Sequence, residues 1–107
     1  MSMIRDSEIN RYLDRYDIGH ANKGYRYLMT GIRLLLEEKA TRSEIMELYR
    51  LIGDQHSVSS VVVERCIRST LKASKAKGTT NRDFMAKALD TLIFDEDDRK
   101  EGESYDD

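Results

Sequence analysis

The chain has 107 residues, of which 39% are hydrophobic and 36% charged, with one cysteine, no proline and no tryptophan. This length allows one domain with a modest core, and a single cysteine excludes an internal disulfide, which fits the reducing cytoplasm. The formal net charge of −2 hides an asymmetry, because residues 95–107 carry a net charge of −6 and residues 1–94 a net charge of +4.

The first half of the chain is predicted to form two helices. The absence of proline and the scarcity of glycine favour an all-α fold. Apolar residues at helical spacing predict a first helix over residues 3–16 and a second over residues 22–39, with a break at residues 17–19. Residues 1–16 carry charges throughout, and no stretch approaches the roughly 20 apolar residues of a membrane span. We therefore expect a soluble, cytoplasmic protein without a signal peptide.

A third, shorter helix is predicted over residues 42–52. Thr41 and Glu44 stand three residues apart, the spacing of a capping box at a helix start. Residues 53–56 are predicted to form a tight turn, because Gly53 follows the last apolar position of this helix.

A fourth and a fifth helix complete the predicted domain. The fourth is expected over residues 57–78, and its inward positions are predicted to be Val58, Val63, Cys66, Ile67 and Leu71. The fifth is expected to begin after Thr79 or Thr80, where Thr80 precedes Asp83 at capping distance, and to end near Phe94. The acidic tail that follows has too few apolar residues to offset its ordering entropy and is predicted to be disordered.

Residues 48–71 have the pattern of a helix-turn-helix: a short helix, a turn of about four residues and a longer helix. Gly53 supplies the small residue that closely crossing helices need. The sequence therefore predicts one all-α domain of about five helices over residues 1–94, containing a helix-turn-helix, followed by a disordered acidic tail over residues 95–107.

The outer face of the fourth helix is the candidate functional site, because residues 57–82 carry a net charge of +5. Arginines can bond guanine edges in the major groove, a carboxylate can accept from a cytosine amino group, and lysines can meet phosphates. The residues predicted to contact bases are Ser60, Val61, Glu64, Arg65 and Arg68. The residues predicted to contact phosphates are Ser59, Lys72, Lys75, Lys23 and His56, with Tyr27 as an alternative to Lys23. Arg65, Arg68, Lys72 and Lys75 are expected to form one continuous stripe.

Catalysis and metal binding are not expected. The two histidines, His20 and His56, lie far apart and have no partners at metal-ligand spacing. Cys66 is expected to be a small core residue, and Tyr25 is also expected in the core. No phosphate-binding glycine loop or nucleophile motif is present, so we expect neither an enzyme nor a cofactor.

Five short motifs resemble the C-terminal DNA-binding effector domain of the sporulation master response regulator of endospore-forming bacteria. They are Ile18-Gly19, Lys23-Gly24-Tyr25-Arg26-Tyr27-Leu28, Leu48-Tyr49, Val63-Glu64-Arg65-Cys66-Ile67-Arg68 and Thr80-Asn81-Arg82-Asp83-Phe84. The resemblance covers most of residues 17–94. It implies an all-helical domain that binds promoter DNA and reads bases with Glu64, Arg65 and Arg68.

The sequence also departs from the family pattern. Val62 stands where the family has a basic residue, Ser69 stands where it often has histidine, and the receiver domain that accepts a phosphoryl group is missing from this chain.

A protein-interaction module is the alternative function. Val61 and Val62 are adjacent, so one of them should be exposed and could contact a protein rather than a thymine methyl group. Such a module would pair with, or antagonise, a full-length regulator of the same kind. The chain could also bind DNA as a homodimer or in tandem, and the acidic tail could fold back onto the basic helix.

Overall fold

The computed structural model describes the backbone of residues 4–105 and the side chains of residues 4–96. All regular secondary structure in this part is helical, as the sequence predicts. In chain order the helices are α1 (Asp6–Asp14), α2 (Lys23–Leu36), α3 (Ile45–His56), α4 (Ser60–Lys72) and α5 (Asn81–Tyr105).

Helix α2 is the centre of the fold, because it packs against each of the other four helices. Its residues Leu28 and Ile32 are fully buried, and the removal of each side chain from water stabilises the fold by about 1.5–3 kcal/mol. Helix α1 is held by aromatic contacts: the rings of Tyr12 and Tyr16 both meet Phe84 of α5 edge to face, at centroid distances of 5.9 and 5.2 Å.

The starts of α2, α4 and α5 each carry a polar cap. Asn22 accepts from the amide of Gly24 at 2.9 Å, and Ser59 accepts from the amide of Val62 at 3.2 Å. These bonds satisfy amides that the first turn of a helix otherwise leaves without partners.

The two predicted capping pairs have different outcomes. The amide of Asp83 donates to the Thr80 hydroxyl at 3.1 Å, so the predicted start of the fifth helix is confirmed. The capping box of Thr41 and Glu44 is not formed. Helix α3 instead begins at Ile45 without a side-chain cap, later than predicted.

The predicted turn at residues 53–56 is wrong, because these residues form the last turn of α3. The helix ends at His56. The next residue, Ser57, adopts a left-handed backbone conformation with φ 58°, and the amide of Val58 donates back to the Gly53 carbonyl at 3.0 Å. This is a Schellman arrangement. A Cβ on Gly53 would overlap the Val58 carbonyl oxygen, so the small residue is required inside the helix.

Helix α4 ends at Lys72, six residues before its predicted end. The chain then turns, and Gly78 has a φ of 95°. The backbone amide of Lys75 donates to the Tyr16 carbonyl at 3.0 Å, which ties this turn to the end of α1.

Helix α5 does not end near Phe94 as predicted but continues to Tyr105. Disorder was predicted for the whole acidic tail, residues 95–107, whereas the described backbone of residues 95–105 is helical; residues 106 and 107 and the side chains from residue 97 lie outside the described residues. Among the helices of the described chain, none combines the length and apolar character needed to cross a membrane.

Candidate nucleic-acid interface

Helices α3 and α4, joined by the three residues 57–59, form the helix-turn-helix. Val63, Ile67 and Leu71 are fully buried at spacings of four, so one side of α4 is pinned against α2 and α3. These three inward positions are confirmed, whereas Val58 and Cys66 are half-buried. Because the inner side is packed, the opposite side of α4 is fixed in its direction.

The outward side of α4 carries Val61, Arg65, Arg68, Ser69 and Lys72, all exposed. Arg65 lies opposite the buried residues and has no ion-pair partner among the described side chains. The Nε atom of Arg68 lies 3.5 Å from the carboxylate of Glu64, one turn earlier, and the Arg68 side chain is 64% exposed. Of the predicted base-contacting residues, Val61, Arg65 and Arg68 therefore share one exposed side, whereas Ser60 and Glu64 are half-buried and lie off that side.

Three other arginines are already neutralised within the fold. Each donates to a carboxylate: Arg33 to Asp6, Arg42 to Asp90, and Arg50 to both Glu47 and Asp54. Arg65 and Lys72 on α4, by contrast, have no ion-pair partner among the described side chains.

Both adjacent valines near the start of α4 are exposed, Val61 at 61% and Val62 at 38%. The sequence predicted exposure of one of them. Two neighbouring apolar side chains at the start of a helix-turn-helix can meet thymine methyl groups or another protein.

The start of α2 is fastened to the middle of α4. The Thr70 hydroxyl donates to Asn22 at 2.9 Å, and a Cβ on Gly24 would come within 2.8 Å of the Cys66 carbonyl oxygen. Lys23 is exposed between these two contacts. The predicted phosphate contact Lys23 is thus held beside α4, on one flank of its outward side.

Two predicted phosphate contacts are placed differently from expectation. Lys75 is not on the stripe, because α4 ends before it, and its ammonium nitrogen pairs with Asp17 at 3.0 Å. His56 is not in a turn: it is half-buried at the end of α3, where its Nε2 lies 2.8 Å from the Thr30 hydroxyl.

Tyr27, which was predicted as an alternative phosphate contact to Lys23, also lies elsewhere than expected. It is buried, and its ring meets that of His56 at 5.0 Å. Ser59 and Lys72, by contrast, lie exposed at the two ends of α4 as predicted. Tyr25 is buried, as predicted, and its hydroxyl donates to Asn10 at 2.8 Å.

Sequence reasoning missed the residues that follow α4. Asn81 donates from Nδ2 to the Glu64 carbonyl at 3.2 Å and to the Tyr49 hydroxyl at 3.1 Å, and burial raises the pKa of Tyr49. Arg82 is therefore held next to α4. Arg82 was counted in the net charge of residues 57–82. Its position next to α4 was not predicted, because the fourth helix was predicted to be too long.

Metal ligands are not clustered in the described part of the chain, which contains no group of three or more histidine, cysteine or acidic residues that could hold an ion. His20 pairs with Asp14 at 2.6 Å and stacks on Tyr25.

The comparison with protein families identifies the relationship. The family model described as sporulation initiation factor Spo0A C terminal matches residues 9–101, which include all or part of every helix. The chain belongs to this family. No curated protein and no solved structure shows significant similarity. The Spo0A C-terminal family consists of DNA-binding regulator domains of sporulation, so the resemblance seen in the sequence is confirmed.

Proposed function

We propose that this chain is a sequence-specific transcription regulator whose helix α4 docks in the major groove of DNA. The function includes no enzymatic step and needs no cofactor, and its place of action is the cytoplasm, where the DNA lies. The main support is the outward side of α4, where Arg65 is unpaired among the described residues while the opposite side is locked in the core.

Five side chains would contact bases. Arg65 and Arg68 can each donate two hydrogen bonds to the O6 and N7 atoms of guanine, and Glu64 can accept from a cytosine amino group. Ser60 and Val61, in the first turn, would contact base edges and a thymine methyl group. Discrimination by each bidentate arginine is worth about 1–3 kcal/mol, or roughly 5- to 150-fold in specificity.

The remaining contacts would be to the sugar-phosphate backbone. Ser59, Lys72 and Lys23 are exposed around α4 and fit this role without rearrangement. Lys75 and His56 would reach a phosphate only by releasing Asp17 and Thr30, their present partners.

The experiment is an unbiased selection of duplex DNA at two salt concentrations, followed by affinity measurements on the selected site and on random DNA. Arg65→Ala and Arg68→Ala should each reduce the preference for the selected site. Lys72→Ala should weaken binding to both DNAs by the same factor, because a phosphate contact carries no sequence information.

Arg11→Ala is the matched control, since Arg11 is exposed on α1, without an ion pair among the described residues, and does not line α4. It should change neither affinity nor preference. If the double variant Arg65→Ala/Arg68→Ala still prefers the selected site, α4 does not read the sequence.

A second function is favoured by the exposure of both Val61 and Val62. In this case the valines would contact a protein, such as a two-domain member of the same family, and the chain would antagonise it. Binding of that purified regulator without DNA binding at any salt concentration, and its loss in Val61→Ser/Val62→Ser, would favour this function over the first.

A further inference from the structure

A surface cleft of about 460 Å³ lies on the flank of α4 that faces away from Lys23. One wall is α4, the other is the segment 78–82 that leads into α5, and the floor is formed by Ile45 and Tyr49 of α3. The cleft therefore opens directly beside the side of α4 that would enter the groove.

Positive charge predominates in this cleft. Arg68, Lys72 and Arg82 line it, and Glu64 is the one acidic residue among the lining side chains. The Glu64 carboxylate already lies 3.5 Å from Arg68, which leaves Lys72 and Arg82 without a counter-charge among the described residues. Two cations without ion-pair partners that line one cleft favour the binding of an anionic group there.

The wall opposite α4 is anchored by hydrogen bonds, so the backbone at Arg82 has a defined position. Asn81 is buried and bonds both the Glu64 carbonyl and the Tyr49 hydroxyl, and the Thr80 hydroxyl caps α5. The backbone of this segment therefore needs no ordering when an anion binds, and only the exposed Arg82 side chain loses rotamer freedom.

The two flanks of α4 are alike in charge. On one side the start of α2 brings Lys23 against α4 through Thr70, and on the other side the cleft brings Arg82. A helix in a major groove about 12 Å wide is bordered by one phosphate strand on each side. Positive groups on both flanks match this arrangement.

We propose that the cleft is a phosphate-binding site in which Arg82 and Lys72 hold a backbone phosphate of the strand that borders α4 on this side. This inference rests on the proposed function, because the strand is present only when α4 lies in the groove. A phosphate of a free nucleotide has the same chemistry, so the experiment separates the two sources.

The test compares Arg82→Gln with Arg11→Gln, which removes the same charge from α1. Each phosphate contact contributes about −0.9 to the slope of log affinity against log salt concentration. If the contribution of that contact to the affinity is zero near 1 M salt, the contact raises the affinity about eightfold at 0.1 M salt. Arg82→Gln should therefore flatten the slope by about 0.9 and weaken binding about eightfold on selected and random DNA alike, whereas Arg11→Gln should match the unmodified chain.

The outcomes separate the inference from the proposed function. If the unmodified chain binds DNA and Arg82→Gln has the same slope and affinity, the inference is wrong and the proposed function stands. If the unmodified chain binds no DNA, the proposed function and the strand phosphate fail together. The other source is probed by titrating adenosine monophosphate while following the amide resonances of residues 79–82. Saturable binding that Arg82→Gln abolishes, together with unchanged DNA affinity, would assign the cleft to a free nucleotide instead.

Discussion

Replacement of Gly24 by alanine tests the joint between α2 and α4 most directly. An added Cβ would overlap the Thr70 hydroxyl and lie 2.7 Å from the Thr70 Cβ and 2.8 Å from the Cys66 carbonyl oxygen. The Cys66 oxygen belongs to the backbone of α4 and cannot rotate away. The two helices must therefore separate, and the hydrogen bond from Thr70 to Asn22 is lost with them.

The cost follows from three contributions. Overpacking in a close helix contact costs about 1–3 kcal/mol, here near the upper end because the opposing atoms are not flexible. Loss of the Thr70 hydrogen bond adds about 1 kcal/mol. Alanine recovers up to about 1 kcal/mol through its higher helix propensity. We expect Gly24→Ala to lower the free energy of unfolding by about 2–3 kcal/mol, which corresponds to roughly 10–20 °C in Tm.

Gly31→Ala is the control within the same helix. There a Cβ would lie 3.0 Å from Ile52 Cδ1 and 3.2 Å from Met85 Sδ, both at the ends of flexible side chains. Strain and helix propensity should nearly cancel, so the change should stay within about 1 kcal/mol of zero. Urea unfolding followed by circular dichroism measures both variants. Equal stabilities for the two would refute the close contact at Gly24.

Three further predictions concern stability. Ser57→Gly should raise the free energy of unfolding, measured in urea, by about 0.5–1 kcal/mol, because glycine adopts the left-handed conformation of Ser57 without strain. Asn81→Ala should cost about 1–3 kcal/mol in the same assay, since the Glu64 carbonyl loses its side-chain donor; a neutral result would mean that water replaces it. Arg42 lowers the pKa of Asp90 through their hydrogen bond. The coupling energy of the two residues in a double-mutant cycle should therefore be present above about pH 5 and disappear as the pH falls through the lowered pKa. It should stay below about 1 kcal/mol, because the pair is exposed.

The number and order of the helices could be predicted from periodicity, because each helix buries an apolar stripe. The start of α5 was also predictable, since the Thr80 cap is a local interaction between neighbouring residues. The turn of the helix-turn-helix was not, because Gly53 resembles a helix breaker in sequence. Only its approach to the Val58 carbonyl, a feature of the folded backbone, shows that glycine serves the close contact there.

The site was predictable in the part that depends on helical periodicity. Arg65 and Arg68 share a side of α4 because the helix is regular between Val63 and Leu71. Lys75 was misplaced because α4 ends at Lys72, and the Lys75 amide instead bonds the Tyr16 carbonyl, a tertiary contact that no local pattern encodes. The cationic cleft could not be predicted for the same reason. It forms only after the chain turns back beside α4, and this turn is a tertiary feature.

The continuity of α5 limits how the acidic end of the chain can act on DNA. The helix begins at Asn81, against Glu64, and Asp95 lies about 21 Å farther along its axis. Folding the acidic segment back onto the start of α4 would require the helix to break. While α5 stays intact, its negative charge reaches the outward side of α4, at Arg65, only as a field through solvent. That field decays over about 8 Å at physiological ionic strength and about 30 Å at 0.01 M, so the acidic end would oppose DNA association in dilute salt and be nearly neutral to it in the cell.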